Sequence, residues 1–365
     1  MKSNFDFLNR YWPALAQIGA TAETYVYSDP NACIYKLGMF AERLVQEILV
    51  FEHIAEPAVD NTHANRIRIL KRAGLLPHEI DNTLYVLRKT RNTAVHTGTD
   101  SVDEAKTLLS LTYNLAVWFM ETYGDWGYIA PEFVMPSETT YEDLESVIAE
   151  QERKIEELTK QLAVVKTAAS GKTQKERAKR SESVSAMMNW NEAQTRCLID
   201  EQLRLSGWEA DTQNLRYSKG TRPVKGRNIA ISEWPTNSAF YKNGYADYAF
   251  FVGEKLVALM DAKKMSEDVA STIDVQVKDY AAHIKPEDIP HTVGNWNGYQ
   301  VPFLFASNGR AYLEQLRTKS GIWFLDVREQ ENQPYPIRNW FSPSDLMEKL
   351  GQNTVAANQA LAAAD

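Results

Sequence analysis

Apolar residues recur at three- and four-residue spacing through the first 130 positions and give way, beyond about position 190, to short apolar runs punctuated by glycine. The first pattern predicts helices over Ala32 to Phe51 and Ala105 to Tyr123. Shorter ones are predicted over Asn65 to Ala73 and Pro77 to Lys89, separated by Gly74, and an all-helical bundle follows. From Pro136 the pattern changes. Leu144, Ile148, Gln151, Ile155, Leu158, Leu162 and Val165 alternate steps of four and three, a heptad seam of about three repeats. It suits either a self-associating helix or a rigid spacer against a neighbouring domain. Ala168 to Ser185 is polar and basic, and is expected as a flexible connector. A helix is predicted over Asn191 to Ser206, closed by Gly207. An apolar run begins at Asp247, Gly253-Glu254-Lys255 supplies a turn, and a second run from Leu256 to Met260 ends in Asp261-Ala262-Lys263, predicting strand, tight turn, strand.

Composition adds bounds. A chain of 365 residues with 44% hydrophobic and 11% aromatic content has enough apolar surface for two or three domains. No run approaches the roughly 20 apolar residues of a membrane helix, and MKSNFDFLNRYW lacks a signal-peptide core, so a cytoplasmic location without membrane contact is expected. Cys33 and Cys197 are too few and too far apart for a zinc set or a disulfide framework. The net charge of −8 argues against a uniformly basic nucleic-acid binder. Positions 171–228, however, carry 12 basic against 7 acidic residues, a surplus of +5 that leaves −13 for the rest. Arg216 to Arg227 holds five basic residues and no acid, which marks Arg222, Lys225 and Arg227 as candidate phosphate contacts.

The chemistry concentrates around the strand pair. In an antiparallel hairpin the start of one strand neighbours the end of the other, so Asp247 and Asp261 reach one edge despite 14 intervening steps. Lys263 lies two residues past Asp261, on the same face. Mg²⁺ takes hard oxygen ligands, commonly one or two carboxylates, and leaves its other positions to water and phosphate. Asp247 and Asp261 fit that role, with Mn²⁺ as a substitute, and Lys263 would orient or help deprotonate the attacking water. The competing account is a half-buried hairpin with charges at its mouth. Gln276 and Tyr280, spaced i, i+4, share a helical face just downstream.

An acid, then (D/E)-x-K, then Q-x-x-x-Y resembles the PD-(D/E)XK nucleases of the RecB-like branch. All five side chains stand here in order: Asp247, Asp261, Lys263, Gln276 and Tyr280, with Asp261 where that branch often has Glu. Related nucleases carry an acid on the preceding helix. Glu192 matches an E-x-x-T-R pattern through Thr195-Arg196, Asp200 is the alternative, and an exposed Arg–carboxylate pair is the structural account. The helix, the loop LRYSKGTRPVKGRNIAISEWP, the hairpin, QVKDY, VPFLFASNGR and SGIWFLDVR together resemble the N-terminal part of type I restriction endonuclease R subunits. That resemblance implies double-stranded DNA as substrate and modification and specificity subunits as partners. It also implies ATP-driven motor domains, which would lie outside this sequence, since no Walker motif occurs. Ser170-Gly171-Lys172-Thr173 imitates a phosphate loop, but Lys166 stands where glycine is required. The sequence stops at Asp365 in an alanine-rich tail, so a truncated chain, a split product or a fragment is expected.

Within the helical region, Arg91-Asn92-Thr93-Ala94-Val95-His96 resembles the R-x4-H element of HEPN domains, some of which are ribonucleases. The simpler account is that Arg91, Asn92 and His96 cap and cross-link the bundle. The expected architecture is a helical, HEPN-like domain over 1–135, a coiled-coil spacer and basic linker over 136–185, a PD-(D/E)XK nuclease domain with a mixed central sheet over 186–350, and a tail over 351–365. The expected activity is Mg²⁺-dependent DNA hydrolysis. Its alternatives are a DNA-binding or assembly module that does not cut, and a ribonuclease using Arg91 and His96.

Overall fold

The structure is a computed structural model. The described residues are 3–352 other than 57–59, 98–100, 139–143, 160–166, 189, 239–243, 266, 268, 270–271, 311 and 313–316; the side chains at 93, 95–97, 144–147 and 159 also fall outside the description. The chain divides into two compact units, Met1–Met188 and Asn189–Asp365. No helix among the described residues is long and apolar enough to cross a membrane.

The first unit is helical: α1 (Pro13–Tyr25), α2 (Pro30–Phe51), α3 (His63–Arg72), α4 (His78–Thr97), α5 (Val102–Phe119), α6 (Leu144–Thr159) and α7 (Gln174–Met187). Helix α2 begins where Asp29 accepts the Ala32 amide at 2.9 Å and Pro30 supplies a preset φ at the first turn. Its apolar stripe buries Ile34, Leu37, Phe40, Leu44 and Ile48 completely or nearly so. Helix α1, which the periodicity did not single out, is alanine-rich and short. It packs closely, because a Cβ at Gly19 would meet the Phe5 ring at 2.3 Å.

In this unit one open alternative is narrowed and one expectation changes. In α6, Ile155 is buried and Glu152 pairs with Lys36 of α2 at 2.6 Å, so the described part of the heptad seam turns toward the chain's own helices. Leu162 and Val165 lie outside the described residues. The stretch 168–185, expected as a flexible connector, is instead largely ordered helix. Thr173 and Glu176 form a capping box at the start of α7, and Arg177 makes a two-pronged ion pair with Glu52 at 2.8 and 2.5 Å. The Glu52 side chain is 1% exposed and that of Arg177 9%. Trp118 adds a hydrogen bond to Ser181 at 3.1 Å. Buried polar partners anchor this helix, and hydrophobic periodicity is blind to them.

The second unit is a mixed sheet whose spatial order follows the sequence: β1 (Glu209–Ala210), β2 (Asn228–Pro235), β3 (Tyr245–Val252), β4 (Lys255–Ala262), β5 (Phe303–Ser307), β6 (Ile322–Asp326) and β7 (Tyr335–Pro336). β1–β2 and β4–β5 are parallel and the other neighbours antiparallel. Both faces are covered. Ile229, Ile231, Phe251, Leu259 and Leu304 pack under Ile273, Val277 and Ala281, which belong to a π-helical turn (Ile273–Val277) and the helix α9 (Lys278–Ala282) that follows it. Tyr248, Phe250, Val257, Met260 and Phe305 pack with Ile199 and Leu203 of α8 (Glu192–Leu205) and Leu346 of α10 (Pro343–Gly351). Coverage on both sides explains why these strands read as continuous apolar runs rather than as alternation. The predicted hairpin is β3–β4, with Gly253 at φ 60° supplying the left-handed turn residue.

Candidate active site

The β3–β4 register Tyr248↔Met260, carried one step toward the open end, sets Asp247 opposite Asp261. Alternation along the strands then puts both acids on the face that α9 covers, with Leu259 and Ala249 as their inner neighbours. Both are nearly sealed, at 5% and 3% exposure. Asp247 Oδ2 accepts the Ala262 amide at 2.6 Å, and Oδ1 pairs with the Arg196 guanidinium. Asp261 Oδ1 accepts from Gln276 Nε2 at 2.7 Å. Asp261 Oδ2 stands 2.7 Å from Lys263 Nζ as an ion pair, but no aligned hydrogen bond from the described residues reaches it.

Gln276 links the other members. Its Oε1 accepts from Lys263 Nζ at 2.9 Å, while Nε2 donates to Asp261 and, at 2.7 Å, to the Tyr280 hydroxyl. Five predicted residues thus converge: Asp247, Asp261, Lys263, Gln276 and Tyr280. The π-helical turn carries Gln276; such single-turn insertions recur at functional sites because they re-aim one side chain.

The charges are strongly perturbed. Burial raises the pKa of Asp247, Arg196 opposes that shift, and the neighbouring charge of Asp261 adds to it. Asp261 is also raised by burial, against the pull of Lys263 and Arg196. Burial disfavours charge on Lys263, yet its contacts with Asp261 outweigh this and raise its pKa, so it is held as an ammonium. Burial thus leaves both acids with raised affinity for protons even though Arg196 and Lys263 stand against them.

Of the two candidates on α8, the structure separates their surroundings. Asp200 is buried in a hydrogen-bonded set with the Thr212 amide at 2.8 Å and the Tyr248 hydroxyl at 2.8 Å, and burial pushes its pKa up to about 6. Its network serves the opposite sheet face. Glu192 is half-exposed, pairs with Arg196 at 2.7 Å, and its charge acts on both Asp247 and Asp261. Glu192 is therefore the acid on the site's side of this helix.

The basic loop shows mixed commitments. Arg222 stacks over Tyr217 at 3.7 Å, Arg227 is bound to Glu209 with Nε 3.1 Å from each carboxylate oxygen, and Lys225 is exposed. In the helical unit, Arg91 pairs with Glu42 at 2.6 Å and lies over the Tyr35 ring; it also fills the space beside Gly38, where a Cβ would meet its side chain at 2.4 Å. These are bundle cross-links. The His96 side chain lies outside the described residues.

Two site residues escaped the sequence reading as members. Arg196 was seen only as a possible partner of Glu192, and Glu233 was not singled out. Glu233 lies on β2 between the pairs Ser232↔Tyr248 and Trp234↔Ala246, hence opposite Asp247. Its φ of 54° is left-handed, a conformation that costs a non-glycine residue about 1–3 kcal/mol and clusters at functional sites. In the sequence Glu233 was placed in the loop LRYSKGTRPVKGRNIAISEWP, whose final stretch is the strand β2 in the structure, and nothing local announced the inverted backbone.

A helical unit and a mixed sheet with two buried acids, a lysine and a glutamine–tyrosine pair at its edge define an α/β nuclease-like domain alongside a helical domain. Residues 209–350 match the family described as type I restriction enzyme EcoKI endonuclease subunit second domain. Over 98% of its length the chain is 29% identical to the type I restriction enzyme EcoKI endonuclease subunit of Escherichia coli strain K12, and it spans 37% of that protein. No solved structure matches the chain. The likeness to a type I restriction R subunit, read first from short motifs, therefore extends over nearly the whole sequence.

Proposed function

We propose that this chain acts as a Mg²⁺-dependent endodeoxyribonuclease of the PD-(D/E)XK kind, within the R subunit of a type I restriction system. The observation that carries the reading is the convergence of Asp247, Asp261, Lys263, Gln276 and Tyr280 at one sheet edge. Asp261 Oδ2, buried, 2.7 Å from the Lys263 ammonium and without an aligned donor among the described residues, is the atom that fits a cation best. Among the described residues no three His, Cys, Asp or Glu side chains are grouped to hold an ion unaided. That set suits Mg²⁺, which accepts two carboxylates and fills its other positions from water and phosphate. Mn²⁺ fits the same oxygens. Once bound, the ion would polarise phosphate and lower the pKa of water.

The chain's own side chains divide the remaining work. Lys263, held as an ammonium, orients water and offsets charge growing on the phosphate oxygens; that state suits it less to removing a proton. Gln276 fixes Lys263 and Asp261 relative to each other, and Tyr280 occupies the second donor of Gln276. Glu192 is placed to add negative charge at the solvent side. Lys225, with Arg222 and Arg227, would contact the backbone of double-stranded DNA. Modification and specificity subunits are the proposed partners, and ATP use would belong to motor domains joined to this chain.

The test is cleavage of plasmid DNA by Asp261→Ala and Lys263→Ala chains, assembled with modification and specificity subunits and checked for an unaltered circular-dichroism spectrum. Loss of cutting by at least three orders of magnitude is expected. Undiminished cutting by both variants refutes the assignment and favours a module that binds or assembles without cutting.

A further inference from the structure

The site contains a cation of its own. Arg196 reaches from α8 into the acid cluster with a side chain only 11% exposed, pairing with Asp247 and with Glu192 at 2.7 Å and standing 3.6 Å from Glu233. Burial opposes its charge, but Asp247, Tyr248, Glu192 and Glu233 together raise its pKa further. The guanidinium donates from Nη2 to both Asp247 and Glu192, while among the described residues its Nε has no hydrogen-bond partner.

Glu233 is arranged to receive it. Arg216 engages Oε2 at 3.3 Å, which leaves Oε1 turned toward Arg196. The Glu233 carboxylate stands on the site side, with Oε1 3.6 Å from Arg196 Nη1. We propose that Arg196 is the resident counter-cation of the metal-free site, and that Glu233 and Glu192 take it up when a divalent cation binds Asp247 and Asp261. The inference rests on the nuclease reading above. A divalent ion and a guanidinium cannot both sit against Asp247 Oδ1 in a poorly solvated site, because their repulsion is barely screened there. Arg196 has two acids within reach to retreat to. It is thus a positioning residue that sets how tightly the site takes metal.

The experiment measures Mn²⁺ binding by calorimetry and electron paramagnetic resonance on the full chain, with thermal melting in chelator and at saturating Mn²⁺. Arg196→Gln should bind Mn²⁺ at least tenfold more tightly, and should lose more melting temperature in chelator than in Mn²⁺. Arg196→Lys, which keeps the charge, should stay near wild type. Glu233→Gln should bind Mn²⁺ at least threefold more weakly, because Arg196 loses its alternative seat. Unchanged or weaker binding by Arg196→Gln, or equal melting losses with and without Mn²⁺, overturns the proposal. Should Arg196→Gln not fold, Glu233→Gln decides alone, and wild-type affinity there overturns it. Absence of Mn²⁺ binding in wild type and every variant removes the nuclease reading as well, whereas binding in wild type with no change in Arg196→Gln removes only the counter-cation.

Discussion

Replacing Gln276 by alanine removes three hydrogen bonds at once: acceptance from Lys263 at 2.9 Å and donation to Asp261 and Tyr280 at 2.7 Å each. Two involve charged partners, each worth about 1.5–3 kcal/mol when fully buried. Gln276 itself is half-buried, so water replaces part of the loss, and a net destabilisation of about 1–2 kcal/mol is expected. For a unit of this size that lowers the melting temperature by about 2–8 °C. Catalysis should suffer more. Lys263 loses the contact that orients its ammonium, and removing one preorganised group of this kind reduces kcat by about 10²–10³. DNA affinity should change less than about threefold, because positioning acts mainly in the transition state. Tyr280→Phe removes the uncharged acceptor of Gln276, worth about 0.5–1.5 kcal/mol, and should slow cutting by about two- to twelvefold. Single-turnover cleavage and fluorescence-anisotropy binding, measured below both melting temperatures, separate the two effects. Wild-type cleavage by Gln276→Ala, or parallel losses of cutting and DNA affinity, would refute the positioning role.

Three other perturbations probe different parts of the chain. Arg177→Ala leaves Glu52 buried without its partner and should destabilise the helical unit by about 3–5 kcal/mol in urea unfolding; an effect under 1 kcal/mol would mean that α7 is only loosely attached. Changing Arg222, Lys225 and Arg227 together to alanine should reduce the slope of log K against log salt by about 1–3, with Lys225 contributing first because Arg227 is already bound to Glu209; an unaltered slope removes the loop from the DNA interface. Asp200, with a folded pKa near 6 against an unfolded value near 4, favours the folded state when protonated, so its contribution is fullest below about pH 4 and is lost as pH rises to about 6. That is about 3 kcal/mol, and the difference in unfolding free energy between wild type and Asp200→Asn should slope across this window and flatten above it.

Much of the site was legible because its geometry is local. A hairpin fixes which residues face each other, so Asp247, Asp261 and Lys263 could be brought to one edge from spacing alone, and the i, i+4 step aligned Gln276 with Tyr280. The split into a helical and a sheet-bearing part followed from the change in periodicity. What periodicity could not reach depends on contacts between distant segments. Arg177 finds Glu52 across 125 positions, turning an apparent linker into a packed helix. Arg196 finds Asp247 across 51, and Glu209 quiets Arg227 in a loop that reads as purely basic. Asp200 and Glu192 lie on one helix, Glu192 as the better motif match and Asp200 as the alternative, and only the sheet beneath shows that Asp200 is sealed against Tyr248 while Glu192 borders the acids. Sequence thus determined the residue types and their local alignment, because backbone geometry repeats at short range. The tertiary structure decided which charges are buried together, because burial and long-range pairing are properties of the packed chain and of no segment within it.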